Sequence, residues 1–326
     1  MFYTVVSYID NKYTVRYNFD SLKRKGKFMG LKVEHVNKTY GTKKVVNDIS
    51  FEIDKPSVYG LLGTNGAGKT TTIRMILGIL KKDTGEITWN GKEVKRKNVN
   101  FGYLPEERGV YPKTKIYDQM MYFAELKGVK KAKAEESLKY WAKRLEVEQY
   151  INMTPEKLSK GNQQKIQFIT SIIHDPELVV LDEPFSGLDP VNTELLKNVI
   201  IELIKNGKYI IMSSHQMHSI EEFCSDVLIL NKGETVLKGN LKEIKEKYNA
   251  NRVSLSTVEN VDKYIKELGL EIYNSKDNDY IINISNEEEG YKLINKLVEN
   301  KVKVEKFEIM KPTLNDIFIE KVGENK

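Results

Sequence analysis

The chain has 326 residues, of which 40% are hydrophobic and 30% are charged, a balance typical of folded globular proteins. This length allows two domains, each with a core of its own. No apolar run approaches the roughly 18 residues of a membrane-spanning helix, so a membrane role would need a partner. A single cysteine, Cys224, excludes an internal disulfide and is expected in the core.

The net charge of +6 is unevenly distributed along the chain. Residues 1–28 contain six basic and two acidic side chains, which leaves a net charge of only +2 for residues 29–326. The longer part therefore has the charge of an ordinary solvated surface without a basic stripe. This distribution argues against nucleic acid as a partner.

The first 28 residues do not have the pattern of a targeting signal. No basic region precedes FYTVVSYI, and no small-residue cleavage site follows it. Strand-like alternation begins after Met29, in GLKVEHVNKTYG. We therefore expect residues 1–28 to be a disordered or non-native extension, translated upstream of a natural start at Met29.

The next segment predicts a phosphate-binding loop. LKVEHV and DISFEID predict strands, and PSVYGLLG predicts a strand buried in a parallel sheet. The glycine-rich run GTNGAGKT follows at Gly63–Thr70, and TTIRMILGIL after it has helical spacing. The order of strand, glycine loop and helix is the context in which such a run binds phosphate.

The spacing of this loop has a physical reason. Glycines let the backbone amides approach phosphate oxygens, and the N-terminus of the following helix faces the anion. In such a loop the Lys69 ammonium contacts the β- and γ-phosphates, and the Thr70 hydroxyl coordinates Mg²⁺.

A second buried strand is predicted by ELVVLDEP, residues 177–184, and it ends in two acids. An acid at the carboxyl end of a core strand beside the phosphate loop can hold Mg²⁺, which we assign to Asp182. The adjacent Glu183 is the expected general base for water. A further buried strand, KYIIMSSH, ends at His215.

Five motifs in this order, GTNGAGKT, LSKGNQQ, VVLDEP, SGLD and SSH, resemble those of the nucleotide-binding domain of ABC ATPases, over residues 30–240. The resemblance implies an α/β P-loop NTPase fold, with a mixed sheet and with antiparallel β and helical subdomains. It also implies ATP and Mg²⁺ as ligands. The residues that it implies for nucleotide binding are Tyr40, Gly63, Thr64, Asn65, Gly66, Ala67, Gly68, Lys69, Thr70, Thr71, Ser159, Gly161 and Asp189.

The family assigns a role to each motif. Glu183 is the catalytic glutamate, acting as the general base; Lys69 and His215 are the other catalytic residues, and His215 contacts the γ-phosphate. Asp189 falls in the D-loop, and Tyr40 resembles the aromatic residue that stacks on adenine. The signature motif, residues 158–163, covers the γ-phosphate of ATP bound to a second subunit. A serine and a glycine amide at a helix N-terminus suit that anion without any acid or base.

Several positions depart from the family pattern. Lys160 and Asn162 replace the usual glycine and glutamine of the signature, and Thr64 replaces a frequent proline. Glu106, in FGYLPEERG, stands where the family has the Q-loop glutamine. A carboxylate about 4 Å from a phosphate oxygen costs roughly 4 kcal/mol at an effective dielectric of about 20. We therefore expect Glu106 to face Mg²⁺, or to turn toward Arg108 and the partner.

The region from Tyr117 to Met153 has helical spacing and resembles the helical subdomain on which a permease docks. Only 89 residues separate Lys69 from Ser159, which leaves no room for the long coiled coil of DNA-repair ABC ATPases. After a hairpin with its turn at Asn231–Gly233, the chain predicts strand, helix, strand, strand, helix, strand, the order of a ferredoxin-like domain. A last helix follows, with Pro312 expected in its first turn.

The expected domains are the extension 1–28, the nucleotide-binding domain 29–240 and an accessory domain 241–326. The accessory domain is α+β and contains no cluster of catalytic side chains, so we interpret it as regulatory or dimer-supporting. PTLNDIFIEKVG, LPEERG and LSKGNQQK resemble the ATPase subunits of type-2 ABC exporters, including the sodium-efflux and drug-resistance groups.

This resemblance implies an ATPase subunit at the cytoplasmic face of the cell membrane. It would pair with an identical or related subunit on a separate multi-span permease and drive export. The alternative is a soluble ABC ATPase that acts on ribosomes or DNA, although ribosome-acting members usually carry two cassettes and this chain has one. An ATP-binding regulator without turnover is disfavoured by the presence of Lys69, Asp182, Glu183 and His215.

Overall fold

The computed structural model describes residues 6–9, 12–15, 29–95, 99–107, 109–222, 224–248 and 251–324. The chain divides into two compact units, residues 1–238 and 239–326. Most of the segment 1–28 lies outside the described residues; within it, strands β1 (Val6–Ile9) and β2 (Lys12–Val15) pair antiparallel. That this segment is a non-native extension stays a prediction. Among the helices of the described ranges, none is both long and apolar enough to cross a membrane.

The next strands are β3 (Leu31–Tyr40), β4 (Lys43–Ile53), β5 (Val58–Gly63), β6 (Thr84–Trp89), β7 (Lys92–Glu93), β8 (Phe101–Leu104), β9 (Leu178–Asp182), β10 (Tyr209–Ser214), β11 (Asp226–Asn231) and β12 (Glu234–Asn240). The helices of this part are α1 (Lys69–Ile76), α2 (Ile116–Leu126), α3 (Lys131–Arg144), α4 (Lys160–Ile172), α5 (Pro190–Lys205) and α6 (His218–Glu221). Short 3₁₀ turns lie at Glu148–Tyr150 and Pro155–Lys157.

The core sheet of the first unit has six strands in the order β12-β11-β5-β10-β9-β8. Strands β8, β9, β10, β5 and β11 run parallel to one another. Both β5 and β9 are buried along their whole length, which explains why the sequence shows them as unbroken apolar runs. Because parallel strands end at one edge, the segments after β5, β9 and β10 meet there.

A second sheet is antiparallel, in the order β4-β3-β6-β7. Side chains from both sheets share one core, among them Val33 and Ile49 from the second sheet and Leu61 and Val180 from the first. Strands β3 and β4 are longer than LKVEHV and DISFEID predict, because their hairpin continues to Tyr40 and Lys43 through several register shifts.

The second unit contains α7 (Leu241–Glu246), β13 (Arg252–Thr257), α8 (Asp262–Glu267), β14 (Glu271–Lys276), β15 (Asp279–Asn283), α9 (Glu287–Glu299), β16 (Val304–Met310) and α10 (Leu314–Glu324). Its sheet has the order β14-β15-β13-β16, with all neighbours antiparallel. This order and the two helices between the strands confirm the predicted ferredoxin-like topology.

The start of α10 differs from the prediction for Pro312. The helix begins at Leu314, and Thr313 precedes it as the cap. The Asp316 N–H donates to the Thr313 hydroxyl (3.2 Å), and the Thr313 N–H donates to the Asp316 carboxylate (3.0 Å). This reciprocal pair sets the helix start two residues after the proline, so Pro312 lies outside the first turn.

Candidate active site

The loop between β5 and α1 requires glycine for steric reasons. Gly63 and Gly68 have φ of 146° and 102°. A Cβ at Gly63 would lie 2.3 Å from the Leu230 carbonyl oxygen, and one at Gly68 would lie 2.6 Å from that of Val45. Helix α1 begins directly after the loop, so its first N–H groups are available to an anion.

The Lys69 ammonium is held by the loop itself. Its Nζ donates to the carbonyl oxygens of Gly63 (2.7 Å) and Thr64 (3.2 Å). Burial lowers the pKa of Lys69, and the carboxylates of Glu183 and Asp182 act against that shift. The lysine of the first motif therefore lies within electrostatic range of both acids of the third.

Asp182 ends β9 and is almost fully buried. One of its oxygens, Oδ1, accepts a hydrogen bond from the Ser213 hydroxyl, whereas Oδ2 has no hydrogen-bond partner among the described residues. Burial raises the pKa of Asp182, and the hydrogen bond from Ser213 and the nearby Thr70 hydroxyl partly oppose this shift.

Buried carboxylate oxygens normally have a partner, so the unpaired Oδ2 of Asp182 is a position where a ligand can bind. With the Thr70 hydroxyl beside it, Asp182 offers hard oxygen donors of the kind that Mg²⁺ prefers. The described residues contain no cluster of three or more metal-ligating His, Cys, Asp or Glu side chains. This small donor set suits Mg²⁺, which usually keeps several waters and binds substrate phosphates through one or two protein carboxylates.

Glu183 and His215 contact each other directly. Oε1 of Glu183 accepts hydrogen bonds from the backbone N–H of His215 (2.7 Å) and from its ring Nδ1 (2.8 Å). Oε2 accepts one from the Ser214 hydroxyl (3.3 Å). The backbone of Glu183 is left-handed (φ 53°), a conformation that is uncommon for residues other than glycine. The acid is thus held in one orientation by the end of β10.

The signature residues and Asp189 form a second group, at the N-termini of two helices. Ser159 caps α4 by accepting from the Asn162 N–H (3.3 Å), and Asp189 caps α5 by accepting from the Asn192 N–H (2.9 Å). Gly161 lies against the segment before α5, since a Cβ there would be 3.5 Å from Leu188. The signature and the D-loop therefore sit side by side.

Tyr40 and Glu106 are both exposed. Tyr40 ends β3 with 51% of its surface exposed, and the Lys38 ammonium lies 5.5 Å from its ring centroid. The carboxylate of Glu106 lies close enough to raise the pKa of Lys69 and that of Tyr103. Arg108, its suggested partner, lies outside the described residues.

Three functional contacts were not anticipated from the sequence. Ser213 and Ser214 hold the two acids, and their only signal was their position just before His215. Gln167 on α4 donates through Nε2 to the carbonyl oxygens of Pro105 (3.3 Å) and Glu107 (3.0 Å). Its buried amide thereby fixes the loop that carries Glu106.

Comparisons with known proteins agree with this geometry. A family model described as ABC transporter matches residues 46–186, and one described as ATP-binding protein DrrA1-3-like, C-terminal domain, matches residues 239–322. The ABC transporter ATP-binding protein YhaQ of Bacillus subtilis (strain 168) is 45% identical over 294 residues, which are 90% of this chain and 98% of that one.

Two further comparisons cover less of the chain. The linearmycin resistance ATP-binding protein LnrL of Bacillus subtilis (strain 168) is 30% identical over 243 residues, 72% of this chain and 76% of that one. A solved structure of an ATP binding subunit of an ABC transporter has a TM-score of 0.63 and 29% identity, and covers 67% of this chain and 93% of that one.

These likenesses confirm the fold and the resemblance that the motifs indicated. They also show that the chain is an ATP-binding and ATP-hydrolysing subunit of an ABC transporter, a type of subunit that implies a partner transmembrane component. The chain belongs to the family of ABC transporter ATP-binding proteins.

Proposed function

We propose that this chain is the ATPase subunit of an exporter that moves Na⁺ or a drug out of the cell through a separate multi-span permease. The observation that carries the ATPase part of this proposal is the Glu183 carboxylate, held by His215 beside the buried Asp182. Similarity to a linearmycin resistance protein favours export. The subunit would lie in the cytoplasm at the inner face of the membrane.

The phosphates of ATP would bind to the amides of the loop from Gly63 to Gly68 and to the Lys69 ammonium. Thr70 and Asp182 would hold Mg²⁺, which neutralises phosphate charge when bound. Glu183 would take the proton from the attacking water. His215 keeps that carboxylate in place, and we propose that its exposed ring also contacts the γ-phosphate.

A second subunit, identical or closely related, would complete each site. Ser159 has its hydroxyl at the exposed N-terminus of α4, and the Gly161 amide belongs to the same turn. Together with Asp189, these groups offer a hydroxyl, amides and a helix dipole to a phosphate held by another chain. The absence of a basic stripe in the sequence leaves nucleic acid out of this proposal.

The general base is tested by Glu183→Gln, which keeps the shape of the side chain and removes the proton acceptor. We expect ATP hydrolysis to slow by about 10²- to 10⁴-fold, the usual contribution of a general base, while ATP-bound dimers persist. Glu52→Gln, at an exposed position on β4, serves as the matched control and should leave turnover unchanged. Turnover that barely changes in Glu183→Gln would show that another group is the base.

The transport assignment is tested by purifying the native complex in detergent and by measuring efflux in cells that lack the subunit. A multi-span membrane protein in the complex, and greater sensitivity of those cells to Na⁺ or a drug, would support export. Association with ribosomes instead of a membrane protein would favour the alternative of a ribosome-acting ABC ATPase.

A further inference from the structure

Helix α9 carries an apolar stripe on its outer side. The residues of α9 that are buried in the domain are Gly290, Leu293 and Leu297. Tyr291 and Val298, by contrast, are 54% and 63% exposed, and Ile294 lies between them on the same side of the helix, partly exposed. Spacings of three and four residues align these three side chains along the helix axis.

The ends of this stripe carry opposite charges. Glu287, in the first turn of α9, precedes Tyr291 by four residues and is exposed. Lys301 follows Val298 by three residues, just past the end of the helix, and is also exposed. Positions 287, 291, 294 and 298 are therefore spaced by four, three and four residues, the heptad spacing by which one helix packs against another. Lys301 follows three residues later, beyond the helix end, with a left-handed backbone (φ 58°).

The stripe is symmetric about its centre to within one residue. Glu287 lies seven residues before Ile294 and Lys301 lies seven residues after it; Tyr291 lies three before and Val298 four after. If a second α9 packs antiparallel at Ile294, then each Tyr291 lies within one residue of the level of a Val298, and each Glu287 lies level with a Lys301. Such self-complementarity is what a two-fold interface between identical chains requires, because the same patch must serve both sides.

Two other charges on this helix are engaged within the domain. The Lys296 ammonium pairs with Glu267 (2.6 Å), and the Glu289 carboxylate accepts from the Ser285 N–H (2.7 Å). Glu287 and Lys301 extend the line of the apolar stripe at its two ends. The charge pattern thus specifies the direction as well as the register of a partner helix.

We propose that α9 forms a contact between two copies of this chain, with the two helices antiparallel across a two-fold axis at Ile294. Three apolar side chains from each copy bury much less than the roughly 1,000 Å² of a stable interface, so the contact is weak by itself. Its effect comes from linkage: it keeps two chains together and raises the effective concentration at which their nucleotide-binding domains meet. The contact does not need nucleotide, so it can be tested independently of the proposed transport function.

The symmetry is tested with single cysteines in the full-length chain, without nucleotide. A residue on the two-fold axis meets its own copy, so Ile294→Cys should form a disulfide-linked dimer under mild oxidation. Lys292→Cys, on another side of the same helix, is the control and should cross-link far less. The natural Cys224 is buried and does not compete. Equal cross-linking at both positions would overturn the proposed axis.

The charge pairing is tested by exchange, with the dissociation constant measured by sedimentation equilibrium without nucleotide. Glu287→Lys and Lys301→Glu should each weaken association about tenfold, since every substitution creates two like-charge contacts in the dimer. The double variant should restore it. Glu288→Lys makes the same charge change in the same helical turn, off the stripe, and should have little effect. If the double variant is as weak as the single ones, or if all variants associate alike, the proposal is wrong.

Discussion

A buried histidine makes the stability of the first unit depend on pH. His174 is only 7% exposed, and its Nε2–H donates to the carbonyl oxygen of Phe101 (3.2 Å). Burial, with a smaller effect from Lys127, lowers the pKa of His174 to about 4. In the unfolded chain the pKa of histidine is about 6.5. Between these values the unfolded chain binds a proton that the folded chain does not, so stability falls as the pH falls through this window.

We expect His174→Gln to make the stability less sensitive to acid. Integrated from pH 7 to pH 5, the histidine should cost the natural chain about 2 kcal/mol of unfolding free energy. The glutamine keeps a donor for Phe101 and does not titrate, so this part of the loss should disappear. Urea unfolding at the two pH values measures the difference. An equal loss in both proteins would contradict the assigned pKa shift.

Glu106 is the third candidate ligand for Mg²⁺, and its carboxylate is exposed in the structure. If it faces the ion, Glu106→Gln should raise the Mg²⁺ concentration for half-maximal ATPase activity several-fold, because a charged donor is lost. Glu107→Gln, at the neighbouring exposed position, is the control. A Mg²⁺ dependence that is unchanged by Glu106→Gln would leave Thr70 and Asp182 as the ligands from this chain.

Two helices of the first unit are joined by a buried lysine. Lys165 on α4 donates to the side-chain oxygen of Asn192 on α5 (2.8 Å), and the Asn192 amide donates in turn to Asp189 (2.6 Å). Gln164 adds a hydrogen bond from α4 to the Pro184 carbonyl oxygen (3.1 Å). The signature at the start of α4 and the D-loop at the start of α5 are thereby fixed to each other.

Removing this link should slow catalysis more than it weakens nucleotide binding. Lys165→Met fills the same volume without a donor, so Asp189 and the signature can shift independently. Since small misplacements of positioning groups are costly, we expect kcat to fall about tenfold or more while the KM for ATP changes little. Lys165→Arg keeps a donor and should recover most of kcat. A loss that arginine does not recover would indicate a packing role, which thermal unfolding of both variants checks.

These two helices show how far the sequence alone could go. Their starts were marked by motifs, because Ser159 and Asp189 are residue types that cap helices. The link between them joins side chains 27 residues apart in the chain, and no local pattern predicts which helix faces meet. The roles of Ser213 and Gln167 depend on tertiary contacts in the same way. Ser213 contacts Asp182 because β10 lies beside β9, and Gln167 contacts the loop after β8 because α4 lies against that loop.

The prediction for the start of α10 was wrong for a different reason. Proline is common in the first turn of helices, so Pro312 was expected there. The Thr313 and Asp316 pair, a competing signal in the same five residues, sets the start instead. The buried strands were predicted well, since apolar runs as continuous as β5 and β9 have few other uses.

At the scale of the whole molecule, the groups proposed to act on one ATP belong to two chains. Lys69, Asp182, Glu183 and His215 form one group, and Ser159, Gly161 and Asp189 form another at the starts of α4 and α5. The first group would bind the phosphates of its own ATP, and the second would serve the ATP of a partner. Each homodimer would then contain two equivalent sites, each with contributions from both copies.

This arrangement predicts that two inactive variants can restore activity when mixed. Lys69→Ala damages the binding loop of a chain, and Ser159→Arg damages the signature that it offers to its partner. Each variant alone has two faulty sites per dimer. In a mixed dimer one site combines the intact loop of the second variant with the intact signature of the first. Because random pairing makes half of the dimers mixed, with one good site in two, about a quarter of the natural activity should return.

The measurement is ATPase activity of each variant alone and of the mixture, at a concentration where the natural chain is dimeric. The natural chain serves as the control by dilution: its specific activity should fall as dimers dissociate, because an isolated chain then lacks the signature that its bound ATP needs. A mixture no more active than its two components, together with a specific activity that stays constant at extreme dilution, would show that one chain builds the whole site.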